Sequence, residues 1–207
     1  MKIWDLPTRI YHWLQALLFV ALMGSGFSGN GPHVQLGLAL FTLLVWRVLW
    51  GIAGSQTSRF RQFIASPKAV MNYLKSGKSA SLGHNPAGGW MVVVMLSALL
   101  FQCISGMTMA GMLDEMPIVG NLLTEEVFMI VEQLHMIGAN VLPGLIAFHV
   151  GAVLIYKLKG TPLTWAMLTG VQKQISANTS LYFASNTRAL MVLVLAISVT
   201  IATVAFA

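Results

Sequence analysis

The stretch His135-Met136-Ile137-Gly138-Ala139-Asn140-Val141-Leu142-Pro143-Gly144-Leu145-Ile146-Ala147-Phe148-His149 decides the architecture of this chain. It lies inside a longer apolar run, residues 127–156, and its two histidines are fourteen positions apart. At about 100° and ~1.5 Å per residue, that spacing returns to nearly the same helix face ~21 Å further along. One helix then carries two like-facing imidazoles at two depths. If it crosses a hydrocarbon core ~30 Å thick, each imidazole lies near one edge, the arrangement needed to stack two redox centres across a bilayer. Each depth requires a partner histidine from elsewhere in the chain.

Composition makes the membrane the solvent. The 207 residues are 57% hydrophobic and 9% charged, with a mean hydropathy of +0.76, a balance that soluble domains rarely tolerate. The length suits a single helical domain and no separate soluble module. The net charge of +6 would suggest nucleic acid in a soluble protein, but its placement along the chain explains it better, and no nucleic-acid partner is expected. Cys103 is the single cysteine and sits in an apolar run, so a disulfide framework, a CxxC metal site and a CxxCH haem attachment are all excluded. Any haem must be held without thioether bonds. Residues 1–27 resemble a signal peptide, but Asp5, His12 and Trp13 interrupt the pattern, and the segment reads as a retained first span.

Apolar windows fall at about 10–27, 34–52, 90–111, 127–156 and 189–207, which predicts five helices. Glu126 and Glu132 flank the start of the fourth window, so its buried part is expected near Leu134 onward. With a cytoplasmic N-terminus, Lys2, Arg9, Arg47, Arg59, Arg61, Lys68, Lys75, Lys78, Lys157, Lys159, Lys173 and Arg188 all fall inside. These are every Lys and Arg in the chain. Asp114, Glu115, Glu125, Glu126 and Glu132 fall outside, leaving only Asp5 within, so the positive-inside rule sets the N-terminus in and the C-terminus out. Trp4, Trp13, Trp46, Trp50, Trp90 and Trp165 cluster at the same inner ends, as an interfacial aromatic belt does. Residues 54–89 mix basic and apolar side chains and suit a short helix on the membrane surface, held by anionic lipid. Residues 174–186 read as a polar linker.

Topology sorts the histidines by depth: His12 with His149 at the inner edge, His33 with His135 at the outer. Two bis-histidine sites on facing helices would each bind one haem iron with both axial positions filled, which suits electron transfer and leaves none open to oxygen. Zinc fits less well because it takes three or four ligands at one site. Small residues near these positions, Gly24, Gly26, Gly37, Gly138 and Gly151, would let a macrocycle lie against helix backbones. Pro143 should kink the helix between its two histidines. Arg9, Arg47 and Lys157 are placed to pair with propionates of an inner haem or with lipid phosphate. His84 precedes the third helix, where it could cap that helix or contact a quinone or propionate; the methionines of that helix, Met91, Met95, Met107 and Met109, read as core packing.

Several of these residues sit in recognisable motifs. Trp4-Asp5-Leu6-Pro7-Thr8-Arg9 runs into His12-Trp13; His33-x-x-x-Gly37 is followed by Arg47 and Trp50-Gly51; Arg59-Phe60, Gly83-His84-Asn85-Pro86, the His135 to His149 spacing, and residues 167–173 around Thr169-Gly170 complete the set. Over residues 3–173 the chain resembles the prokaryotic cytochrome b561 family, in particular the branch holding the b-type cytochrome subunits of nickel-iron hydrogenases. The resemblance implies a four-helix membrane bundle with two b haems on His12, His33, His135 and His149, and quinone as one partner. The chain departs from the family by continuing into a fifth, histidine-free helix.

The expected protein is an all-α integral membrane four-helix bundle (1–173) with a linker and one additional transmembrane helix (174–207). It would be an electron-transfer subunit of a quinone-linked oxidoreductase in a bacterial inner membrane. Two haem b groups would carry single electrons between the quinone pool and a periplasmic c-type cytochrome or oxidoreductase, docked on the acidic outer loop at 114–126. The competing reading is a non-redox transporter or assembly subunit whose histidines relay protons or bind a metal.

Overall fold

The computed structural model describes residues 1–77, 81–172 and 180–205. Lys78, Lys173 and residues 174–179 of the expected linker lie outside the described residues, as do 206 and 207. Five described helices are long and apolar enough to cross a membrane: α1 (Leu6–Ser28), α2 (His33–Ala53), α5 (Pro86–Met109), α7 (Glu125–Leu158) and α9 (Asn186–Ala205). The windows read from the sequence match these helices to within a few residues. Short elements join them: a 3₁₀ turn (Gln56–Ser58), α3 (Phe60–Phe63), α4 (Pro67–Ser76), α6 (Val119–Leu122) and α8 (Leu163–Thr169). The protein is an all-α, multi-pass membrane protein.

Local chemistry sets the helix ends. Asp5 caps α1 by accepting from the Thr8 amide, Asn85 caps α5 by accepting from Gly88, and Thr124 caps α7 by accepting from Val127. Prolines stand in the first turns of α1, α4 and α5, where the missing N–H costs nothing. The cap of α5 is therefore Asn85, not His84. Glu125 and Glu126 oppose the macrodipole at the start of α7, with Lys157 in its last turn. Its 34 residues give a length of ~51 Å, well beyond a ~30 Å core, and it runs through Pro143 without ending there.

α2 is the hub. It packs on α1, α5 and α9, while α5 packs on α7. Leu40, Phe41 and Leu44 of α2 meet Leu99, Cys103 and Met107 of α5 and Leu142 of α7 in the main core. The fifth helix is part of this packing: Trp46 Nε1 donates to the Ala189 carbonyl (3.1 Å), and the Thr42 and Thr200 hydroxyls bond at 2.8 Å. α1 buries only Thr8 and Tyr11, and α7 only Leu142, so the two helices that carry His12 and His149 face outward along most of their length.

The tryptophans depart from the expected belt. Trp13, Trp90 and Trp165 are exposed, but Trp4, Trp46 and Trp50 are buried, Trp50 completely. The buried indole N–H of Trp50 has to be satisfied, and Asp5 Oδ2 and Thr8 Oγ1 both accept from it at 3.2 Å. A polar knot thus ties α2 to the start of α1.

Candidate functional site

The start of α1 and the end of α7 lie at one end of the bundle, called here the near end: the Ile3 amide donates to the Gly170 carbonyl at 2.7 Å, just after α7 and α8. There, His12 and His149 face each other with ring centroids 6.5 Å apart and planes inclined by 50°. Trp13 packs edge-on against His12 at 5.1 Å. The Nδ1 of His12 is buried and has no hydrogen-bond partner among the described residues.

Around this pair the near end collects donors. Arg47 is only 4% exposed, its guanidinium lies over the rings of Phe60 and Phe63 at 5.1 and 5.9 Å, and its Nη1 has no partner among the described residues. Arg9 donates to the Leu168 carbonyl while its buried Nε is unpartnered. Burying a guanidinium without satisfying its N–H groups is costly, so both point to an acceptor not supplied by these side chains. His84 is wedged between Trp4 (4.7 Å) and Phe63 (4.6 Å). Burial, aided by the Arg47 charge, pushes its pKa down to about 3 and keeps it neutral. Asn85 donates to the Tyr156 hydroxyl (2.9 Å), which also bonds the Tyr73 hydroxyl, joining α5, α7 and α4.

At the far end His33 and His135 lie close enough to interact electrostatically. Each has a serine behind it. The Ser25 hydroxyl is 3.0 Å from His33 Nδ1, and the Ser105 hydroxyl is 2.9 Å from His135 Nδ1. Each serine is followed by a glycine with the imidazole against it: a Cβ on Gly26 would stand 3.1 Å from His33 Cε1, and one on Gly106 3.1 Å from His135 Cε1. Sequence reading missed both serines; the signal was the repeated Ser-Gly pair at 25–26 and 105–106.

The other glycines divide. A Cβ on Gly24, Gly37 or Gly151 would meet no atom within 4 Å, whereas one on Gly138 would collide with Gln102 Oε1. Gly138 therefore serves the contact of α5 with α7, and Gln102 uses it to donate to the His135 carbonyl at 2.9 Å.

The sequence profile of the prokaryotic cytochrome b561 family matches residues 3–170. The chain belongs to this family. A protein named "Probable Ni/Fe-hydrogenase B-type cytochrome subunit", from Cupriavidus necator, is 24% identical to this member over a match covering 53% of the present chain and 58% of the relative. The chain thus spans less than two thirds of that relative's length. No solved structure matches. Membership places the protein among the prokaryotic b561 cytochromes, a family whose name implies b-type haem.

The residues of this cytochrome b561 fit such a group. With metal–imidazole bonds of about 2.0 Å and a ring centroid about 1.2 Å behind its nitrogen, two imidazoles on opposite sides of one metal stand about 6.4 Å apart. The observed 6.5 Å separation of His12 and His149 agrees. No group of three or more His, Cys, Asp or Glu that could hold a metal ion forms among the described residues, and a haem, whose macrocycle brings ligands of its own, would ask the chain for no more than two. The unpartnered Nη1 of Arg47 and Nε of Arg9 suit carboxylates such as haem propionates.

Proposed function

We propose that this chain is a di-haem b cytochrome that passes single electrons across a bacterial inner membrane between the quinone pool and a redox partner on the outer side. When bound, each haem supplies a one-electron iron couple. The 6.5 Å facing of His12 and His149 carries the reading, and the ~21 Å rise from His149 to His135 on the same helix supports a second site with His33. Two histidines at each site would hold the iron of one haem and leave it no open position for oxygen chemistry. Arg47 and Arg9 would hold the carboxylates of the near-end group, since Arg47 Nη1 and Arg9 Nε are buried with no partner among the described residues. Gly37, with open space at its Cβ position, leaves room for the far-end group.

In this reading residues 1–173 form the electron-carrying unit, and the near end is cytoplasmic because the basic residues collect there. The last helix, packed on α2, is an addition that ends in the periplasm. The hydrogenase-related name of the relative supports a membrane-bound oxidoreductase, or a c-type cytochrome serving one, as the outer partner. An acidic surface suits its docking: Asp114 and Glu125 line a cleft of about 460 Å³ with Gly120, Leu123, Phe128 and Met129. Charge-neutral variants of Asp114, Glu115, Glu125 and Glu126 should slow electron transfer and flatten its salt dependence; unchanged rates would refute this docking site.

Haem quantitation on four separate variants tests the whole scheme. H12A and H149A should each lose one haem, and H33A and H135A the other. Any cross-pattern, or retention of both haems in all four, overturns the pairing.

A further inference from the structure

We propose that Ser25 and Ser105 are positioning residues that hold His33 and His135 in the tautomer and ring orientation needed to bind iron through Nε2. The inference rests on the reading that these two histidines share a haem.

Each serine hydroxyl donates within its own helix, Ser25 to the Leu22 carbonyl (3.2 Å) and Ser105 to the Gln102 carbonyl (3.0 Å). A hydroxyl has one hydrogen and two lone pairs. In the arrangement that satisfies both contacts of each serine, the hydrogen goes to the backbone carbonyl and the oxygen that lies 3.0 or 2.9 Å from Nδ1 accepts, so Nδ1 carries the proton. The Nε2 lone pair is then free for a metal, which the opposite tautomer would forbid. Gly26 and Gly106 complete each clamp by letting the ring edge lie against the helix; an added methyl 3.1 Å from Cε1 would tilt or displace it.

The near end is built differently. His12 Nδ1 has no hydrogen-bond partner among the described residues. An Nδ1–H donated to a hydroxyl makes imidazole a stronger donor to iron and favours the ferric state, so the serines lower the midpoint potential of the far-end haem specifically.

The test uses the full-length haem-loaded chain in detergent, with S25A, S105A and the double variant, S25T and S105T, and G26A and G106A. Haem content, potentiometric titration and the electron paramagnetic resonance of the ferric low-spin haems are read. A tenfold loss in the preference for ferric over ferrous iron moves a one-electron midpoint by about 59 mV. The double alanine variant should raise one midpoint by a shift of this order and leave the other in place. The threonine variants should return toward wild type, and the two Gly→Ala variants should change the g-values of the same haem with the hydroxyls intact. If the double variant keeps both haems with unchanged midpoints and g-values, the inference fails. Should it lose a haem, the single variants decide: unchanged midpoints and g-values in both overturn the inference. The two-haem reading, and this inference with it, falls instead if H33A and H135A retain both haems.

Discussion

Replacing Asp5 by alanine tests how the near end is held together. Asp5 is 3% exposed; its Oδ1 accepts from the Thr8 amide at 2.7 Å and its Oδ2 from Trp50 Nε1 at 3.2 Å. Loss of an N-cap costs about 1 kcal/mol. Loss of the indole bond costs about another 1 kcal/mol, held to that because Thr8 Oγ1 still accepts from Trp50 at 3.2 Å. For a chain of this size the sum of about 2 kcal/mol lowers Tm by roughly 4–8 °C. Thermal unfolding of the haem-loaded protein in detergent, followed by far-ultraviolet circular dichroism, measures it. Asp5→Asn keeps one oxygen for the cap but sets an NH2 where Oδ2 accepted from Trp50, and it removes the negative charge felt by Arg47, so it should lose about half as much. An alanine variant that melts with wild type would refute the capping and indole argument; an asparagine variant as damaged as the alanine would show that the cap to Thr8 contributes nothing.

Other perturbations separate the remaining forces. The pKa of His84 is pushed down to about 3 by burial between Trp4 and Phe63 and by the Arg47 charge; the unfolded chain takes up a proton near 6.5, so its contribution is intact above that pH and is lost as pH falls toward 3. His84→Phe should therefore melt with a flatter pH dependence than wild type between those values. A Cβ on Gly89 would strike the backbone carbonyl of Phe63, which cannot swing aside, and Gly89→Ala should lose about 1–3 kcal/mol; Gly144, with no atom within 4 Å of its Cβ position, should accept alanine with no loss in the same melt. A double-mutant cycle of Thr42→Val and Thr200→Val should give a coupling of about 0.6–2 kcal/mol, and zero coupling would show that this hydroxyl pair adds nothing to the hold of α9 on α2.

The spans were legible because hydropathy and length act over whole helices: the window at 34–52 became His33–Ala53, whereas the start of α5 at Pro86, capped by Asn85, precedes the window at 90 because capping chemistry, not hydropathy, sets it. The facing of His12 and His149 was legible because a fourteen-residue helical rise and a charge asymmetry fix depth without any knowledge of packing. What could not be read was everything that depends on which helix stands beside which. Trp46 and Trp50 carry the same composition signal as Trp90, yet they are buried, because α9 covers that face of α2; no residue of α9 announces its neighbour. Gly138 looked like room for a cofactor and turned out to be room for Gln102. Asp5 read as a stray acid in a basic compartment until the indole of Trp50 gave it a second partner.

Serine is the most instructive case. In a membrane helix a lone serine bonds its own backbone and carries little meaning, and the Ser-Gly pairs at 25–26 and 105–106 were faint beside the same pair at 28–29 and 76–77. Only the approach of His33 and His135 turns that self-bonding into a constraint, since a hydroxyl already donating along its helix has nothing left to offer an imidazole but a lone pair. Four histidines of one type thus stand in two unlike settings: at the near end, where Arg9 and Arg47 each keep one buried nitrogen without a partner among the described residues, and at the far end against hydroxyls and glycine backbone. Ligand identity alone would make the two sites equivalent. The surroundings make them unequal, and iron responds to surroundings through the charge it feels and the basicity of its ligands. On the proposed two-haem reading, a chain that stacks two centres on one helix tunes each separately, through residues that never touch the metal.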